Sequence, residues 1–391
     1  MRKLVFLWLD AFSDKYLAPK LCPFLWNLSR TSFFAKIEPL FAYMGIEYCF
    51  EYGAPLNELG VWNDRVFAGF NALNNRQNYF FKKVLKFADK VSPSDDWNKI
   101  FRYLLFKLAG INYGTPHLIP ADYIDVFPIL KVSFKRKSLY EILDENGVKF
   151  LRKEPKLATF EGFLIRKIPK LLEKYDAIFL KMNSLDRLGH QYGPLSDKVR
   201  GHVKYFDRLI GELFPQLGKD TALIVMSDHG MTPVTHYFDL IGFLMRKGYE
   251  FGKHYIAFVG ATYTSFWFDS EKCKEAIVNE LKSLEVGQLL NVKDKTKLGI
   301  VEKVKEYGEE IFVAKEYNVF FPEFYHVRKP PKGMHGYSFS KYDMPIFFMH
   351  GGGLTSLRKG RIEFVDIMPT ILRLLNLPIP KFVERQDLIV A

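Results

Sequence analysis

The chain has 391 residues, 48% hydrophobic and 26% charged, a balance that excludes a disordered chain and fits either one large core with insertions or two domains. Fifty-six Lys and Arg against 44 Asp and Glu leave a net charge of +12; this favours an anionic partner, although an unspecialised basic surface accounts for the charge equally well. Three cysteines (Cys22, Cys49 and Cys273) are odd in number and lack metal-ligand spacing, which sets aside both a disulfide framework and a cysteine zinc cluster.

The chain opens on Leu4–Leu9, an apolar run too short for a signal peptide and followed by no small-residue cleavage site; it reads as a buried strand ending at Asp10. A helix is predicted over Pro23–Arg30. Residues 66–135 are rich in aromatics and lysine, with helices expected at Tyr79–Val91 and Trp97–Leu108. Between them Ser92-Pro93-Ser94-Asp95-Asp96 supplies a break and a helix cap. Helix Ile168–Lys174, strand Ala177–Leu180, helix Lys198–Phe214 (stopped by Pro215) and strand Ala222–Met226 follow. Residues 246–330 then change rhythm, with strands at Tyr255–Val259 and Thr264–Phe268, a helix at Glu271–Leu284, and a strand-like Ile311–Phe320 turning near Tyr317-Asn318. Strand Pro345–Met349 and helix Pro369–Leu375 close the chain.

The four apolar runs read as central parallel strands, buried on both faces. Their alternation with helices predicts an α/β fold, a central mostly parallel sheet sandwiched by helices. The expected organisation is a core of 1–65, 136–245 and 331–391, a helical cap insertion at 66–135, and a small α+β insertion at 246–330. No uncharged apolar run approaches the roughly 18–20 residues of a transmembrane helix, and a soluble, cytoplasmic protein is expected.

In open parallel sheets, ligands bind beyond the carboxyl ends of the strands. Three predicted strands deliver Asp10, the turn bearing Asp186 and His190, and the pair Asp228-His229 to that edge. Asp186 and His190 are one helical turn apart. His335 comes from the glycine-flanked loop Gly333-Met334-His335-Gly336-Tyr337. Carboxylates with imidazoles suit Zn, Mn, Fe or Co, and this set suffices for two three-ligand sites. Taken singly, Asp10 reads also as a helix cap, Asp186 with His190 as a surface pair, and His335 as a loop histidine; their order at strand ends carries the metal reading. Lys181 and Asn183 lie beside the same turn and are positioned to contact a phosphoryl oxygen.

The segments Leu185-Asp186-x-x-Gly189-His190-x-x-Gly193-Pro194, Ser227-Asp228-His229-Gly230-Met231 and Met334-His335-Gly336-Tyr337, in that order, resemble the alkaline-phosphatase superfamily, in its nucleotide pyrophosphatase/phosphodiesterase branch. Cys22-Pro23-Phe24-Leu25 and Val365-Asp366-Ile367-Met368-Pro369-Thr370-Ile371-Leu372 match as well. The resemblance implies two divalent ions, Zn or Mn, one held by Asp10, Asp228 and His229 and the other by Asp186, His190 and His335. It also implies a metal-dependent hydrolase of phosphate esters, diesters before monoesters, acting on a phosphorylated or otherwise anionic small molecule. Family members carry a Thr or Ser nucleophile shortly before a Gly-x-x-Pro-x-x-x-Gly stretch. Here that stretch is Gly53-Ala54-Pro55-Leu56-Asn57-Glu58-Leu59-Gly60, its Pro shifted by one, and the nucleophile position falls on Met44 or Gly45. Neither can attack phosphorus. Tyr43 is the adjacent hydroxyl, with Tyr48 and Cys49 beyond it. Three readings stay open: direct attack by activated water, Tyr43 as nucleophile, or a metal- and ligand-binding homologue that has lost hydrolysis. A phosphotransferase is a further alternative.

In the first insertion, Lys82, Lys83, Lys86 and Lys90 interleave with Phe80, Phe81, Val84, Leu85, Phe87 and Val91. The expected reading is a helix packed on a core with its lysines in water; a substrate cap and membrane-surface contact through 79–108 are the alternatives. No nucleic-acid readout motif is present.

Overall fold

The computed structural model describes residues 3–41, 45–63, 65–70, 79–92, 95–108, 121, 126–127, 134–155, 157–325, 329–337, 344–351, 362–385 and 387–389. They form two compact units. The first comprises Met1–Leu59, Phe134–Pro233 and Lys332–Ala391. Its sheet contains Lys3–Leu9 (β1), Phe33–Lys36 (β2), Phe150–Lys153 (β3), Ala177–Met182 (β4), Thr221–Met226 (β5) and Ile346–Gly351 (β6), in the order β2-β6-β5-β1-β4-β3.

The side-chain alternation of β1 builds both layers. Val5, Leu7 and Leu9 are fully buried in one core with Leu25, Ile165, Ile168, Phe206 and Ile210, which come from helices Pro23–Thr31, Ala158–Leu171 and Asp197–Leu213. Phe6 and Trp8 face the other way, with ring centroids 5.3 and 5.6 Å from Phe50 of helix Ile46–Tyr52. A strand apolar on both faces is therefore sandwiched, and each such side chain contributes roughly 1.5–3 kcal/mol of burial. The carboxyl ends of β1, β4 and β5 share one edge because these strands run parallel.

In this unit two expectations need correction. β6, expected as a parallel strand, runs antiparallel to both neighbours, with Phe348 opposite Val225 and Phe34; an apolar run encodes burial but not direction. The helix expected at Ile168–Lys174 spans Ala158–Leu171 instead, with Pro169 in its last turn. There the missing N–H costs a single hydrogen bond near the helix end, so the proline closes the helix where a start was expected.

The second unit comprises Gly60–Ser133 and Val234–Pro331. Its four-stranded antiparallel sheet orders Gly287–Leu289, Glu310–Ala314, Tyr263–Phe268 and Tyr255–Val259. The turn expected near Tyr317-Asn318 is present: Tyr317, at φ 70°, separates strands Glu310–Ala314 and Asn318–Phe320. Aromatic content becomes core here: Phe67 lies 4.7 Å from Trp267, and Phe258 4.3 Å from Phe324, between ring centroids. Helices Tyr79–Val91 and Asp95–Leu108 pack through Leu85 and Phe106. The expected lysine face is in water, with Lys83, Lys86 and Lys90 exposed, but the apolar residues are not all inside, since Phe80 and Phe87 are 80% and 64% exposed. Among the described residues no helix is long and apolar enough to cross a membrane.

Candidate metal centre

Asp10 follows the last residue of β1, and its N–H donates to the Met182 carbonyl at the end of β4 (3.0 Å). The next residue, Ala11, has φ 62°, a left-handed conformation that a side chain with Cβ adopts at a cost of about 1–3 kcal/mol. That turn aims the Ala11 N–H at Asp228 Oδ1 (3.2 Å), which also accepts from the His229 N–H (3.0 Å). The strained turn thus ties the ends of β1 and β5 together at the two aspartates.

Asp186 and His190 occupy the first and last turns of helix Ser184–Tyr192. The start of this helix is held from beneath by Glu161, which is fully buried and accepts from the Ser184 N–H (3.0 Å). The Ser184 hydroxyl contacts both Glu161 and His202. Burial, with the positive charge of Arg187, pushes the His202 imidazole down to about 4. His335 follows Gly333–Met334, a short strand paired with Thr232–Pro233. Gly333 is required there, since a Cβ would stand 2.6 Å from the Gly189 carbonyl.

These elements converge. Asp186 Oδ1 lies 3.2 Å from His190 Nε2 and 3.5 Å from His335 Nε2, and Asp10 Oδ1 lies 3.3 Å from His229 Nε2. The His229 and His335 rings stack at 3.7 Å. Ligand atoms of Asp186, His190 and His335 all fall within 4.8 Å of one another, and so do those of Asp10, Asp186 and His229. Asp186 thus belongs to both groups. Asp228 stands alongside, with Oδ1 engaged by backbone and Oδ2 3.8 Å from His229 Nε2.

The donor set fits divalent cations. Nδ1 of His190 is 2.9 Å from the Gly333 carbonyl, and Nδ1 of His229 is 2.8 Å from the Gly230 carbonyl. A carbonyl only accepts, so each Nδ1 carries the proton and donates, leaving the Nε2 lone pair for a metal. Asp10 Oδ1 and Asp186 Oδ1 are buried without a hydrogen-bond donor. Burial, followed by the charges of Asp228 and Asp186, pushes the Asp10 carboxyl well above the usual carboxylate range. Burial would also raise Asp186, but His190, His335 and His229, when protonated, outweigh it and hold that carboxyl well below its ordinary value. Packed carboxylates of this kind are relieved by a dication.

Lys181 donates to Glu47 (2.7 Å) and lies over the Trp8 ring at 4.7 Å. Burial opposes its charge, but Asp10, Asp228 and Glu47 prevail and raise its pKa. It helps line a shallow cleft together with Phe6, Trp8, Glu47, Tyr140 and Arg152. The Asn183 amide donates to Glu154 (2.6 Å). Glu47, Glu161, Ser184 and His202 were not singled out from the sequence; only the position of Glu47, just after the expected nucleophile, gave any signal. Tyr43 and Met44 lie outside the described residues. Gly45 is left-handed at φ 72°, and a Cβ there would strike Leu56 Cδ2 at 2.4 Å. Tyr48 packs on Phe134 (ring centroids 5.5 Å). Cys49 is 1% exposed, its thiol pushed up to about 12 by burial, which makes it a poor nucleophile.

The profile described as "Type I phosphodiesterase / nucleotide pyrophosphatase" matches residues 75–338. The chain belongs to this family. It lies within the alkaline-phosphatase superfamily, and five of the six Asp and His residues above fall in the matched span, Asp10 preceding it. Murine ectonucleotide pyrophosphatase / phosphodiesterase 5 shares the fold of this phosphodiesterase-family chain, with a TM-score of 0.67, 16% identity and full coverage of both chains. The inactive murine protein in complex with AMP and the human protein match equally. Two local relatives are GPI ethanolamine phosphate transferase 2 of Debaryomyces hansenii, 37% identical over 65 residues (16% of the chain), and GPI ethanolamine phosphate transferase 3 of Eremothecium gossypii, 24% identical over 159 residues (41% of the chain). The chain spans 7% and 12% of their respective lengths.

Proposed function

We propose that the protein is a hydrolase of phosphate diesters that uses two divalent ions, Zn or Mn. The observation that carries this reading is the pair of Asp/His groups sharing Asp186 at the carboxyl edge of the sheet, in a chain of the phosphodiesterase family. Asp186, His190 and His335 would hold one ion; Asp10, Asp186 and His229, with Asp228 alongside, would hold the other. Bound dications neutralise phosphoryl charge and lower the pKa of water. The chain's own groups do the rest. Gly230 and Gly333 carbonyls fix the imidazole protons on Nδ1, and Lys181, kept cationic by its acidic neighbours, sets the charge beside Asp10. Asn183 and Lys181 are the proposed contacts to the substrate phosphoryl group, and selectivity is assigned to 66–135 and 246–330. Gly45 offers no hydroxyl and Cys49 is buried with its thiol pushed up to about 12, which sets both aside; water is the proposed attacking group, with Tyr43 the remaining side-chain candidate. A cytoplasmic location accords with the thiols of Cys22, Cys49 and Cys273, all unbridged.

The partial similarity to ethanolamine phosphate transferases favours a second reading, transfer of a phosphoryl-bearing group to an alcohol. Both are tested by turnover of a chromogenic phosphodiester with Zn or Mn, in the presence and absence of glycerol. Release of phosphomonoester alone supports hydrolysis; a glycerol ester among the products supports transfer. Absence of either product with every metal and diester tried would leave a ligand-binding protein.

A further inference from the structure

We propose that helices Tyr79–Val91 and Asp95–Leu108 form a hairpin that docks the protein on the surface of an anionic lipid bilayer. The inference stands independently of the metal-centre reading. Among the described residues, 18 large hydrophobic side chains are exposed, and ten of them lie in these two helices. Their spacing makes a face. On the first helix Tyr79, Phe80, Lys83, Lys86, Phe87, Lys90 and Val91 are the exposed positions, a three-to-four-residue repeat that puts aromatics and lysines on the same side. On the second, Trp97, Ile100, Phe101, Leu104 and Leu108 repeat in the same way and stand 44–85% exposed.

The seam between the helices carries polar groups as well as apolar ones. Arg102 is 3% exposed with Nη1 3.5 Å from Asp89 Oδ1, and Asn98 Nδ2 donates to the same oxygen at 3.0 Å. The hairpin therefore buries an arginine beside a half-buried aspartate, a charge that is costly to desolvate, while exposing Trp97, Phe80 and Phe87. A helix pair built for water alone reverses that arrangement.

The chemistry of the face selects the occupant. Cores of protein–protein interfaces are depleted in lysine, whereas membrane-surface helices combine lysine with Trp and Phe. Here Lys83 Nζ lies 4.7 Å from the Tyr79 ring centroid and Lys107 Nζ 5.7 Å from that of Tyr103, so cationic and aromatic groups meet the same boundary. No carboxylate is exposed among the described side chains of either helix, in keeping with a negatively charged lipid surface. The helices have 13 and 14 residues, about 20 Å each; this suits lying in the interface and is too short for the ~30 Å hydrocarbon core.

The test is co-sedimentation of the intact protein with phosphatidylcholine vesicles, with and without roughly 30 mol% phosphatidylserine, at low and high salt. Binding to the anionic vesicles is expected, about tenfold weaker on neutral ones and reduced by salt. Lys83→Glu with Lys86→Glu should weaken it about tenfold or more, and so should Phe80→Ser with Phe87→Ser. Circular dichroism checks the fold; if the serine pair unfolds, the lysine pair decides. No binding by the wild type, or equal binding by the lysine variant, overturns the proposal. So does a wild-type dimer that Phe80→Ser with Phe87→Ser converts to monomer without changing vesicle binding, since a second copy would then be the occupant.

Discussion

Asp186 is shared between the two ligand groups, whereas His190 belongs to one; the consequence is a difference in metal count. Each ion present at about 100 times its Kd stabilises the folded state by about 2.7 kcal/mol. Two ions contribute about 5 kcal/mol, which in a unit of about 220 residues raises Tm by roughly 10–20 °C. Asp186→Asn keeps the side chain's size but removes a charged ligand from both groups, and should leave less than about a quarter of that rise. His190→Ala should leave about half. Differential scanning fluorimetry with and without Zn or Mn reads the stability, and elemental analysis of the dialysed protein reads the stoichiometry. The expected counts are about two ions for wild type, one for His190→Ala and none for Asp186→Asn. If Asp186→Asn keeps one ion as firmly as His190→Ala does, the shared-ligand arrangement is wrong and Asp228 completes the second site without it.

Two further outcomes follow from burial. With a chelator present, the unfolded chain takes up a proton on His202 near 6.5, whereas the folded protein resists until about 4. Stability should therefore fall as pH drops from 6.5 towards 4 and be flat in this contribution above 6.5. For a part-exposed ring the loss is on the order of 2 kcal/mol; urea midpoints at pH 7 and 5 should converge in His202→Asn, and an undiminished pH slope in that variant would remove the histidine from the account. Cys22 and Cys49 are 0% and 1% exposed, their thiols raised to about 11 and about 12 by burial, while Cys273 is partly exposed. A thiol reagent should modify Cys273 alone in the folded protein, and prompt labelling of Cys49 would restore it as a nucleophile candidate.

The core strands and the Asp and His residues that follow them were legible because buried parallel strands are continuous apolar runs, and because polar residues directly after such runs must lie at the sheet edge. Direction was not legible, since Phe347 and Phe348 of β6 pack equally well in either sense. β2 and β3 escaped notice because they are edge strands with Lys36, Arg152 and Lys153 partly in water. The spacing of Asp186 and His190 indicates one helix face, but that Asp186 also reaches the His229 group depends on how β5 and Ser184–Tyr192 are brought together. The hairpin shows a different limit. Lysines interleaved with phenylalanines mark an amphipathic helix, yet which residues face inward depends on the partner helix, which brings Phe106 to Leu85 and Arg102 to Asp89, and local periodicity carries no information about that.

The central claim is that the Asp/His cluster is a metal-dependent centre for phosphodiester cleavage. It is tested most directly by stripping the protein with a chelator, restoring Zn or Mn, and following cleavage of bis(4-nitrophenyl) phosphate by wild type and His229→Ala. The account predicts turnover that vanishes on stripping, returns with metal, and is lost in His229→Ala. Turnover that survives stripping, or that His229→Ala retains in full, would contradict it.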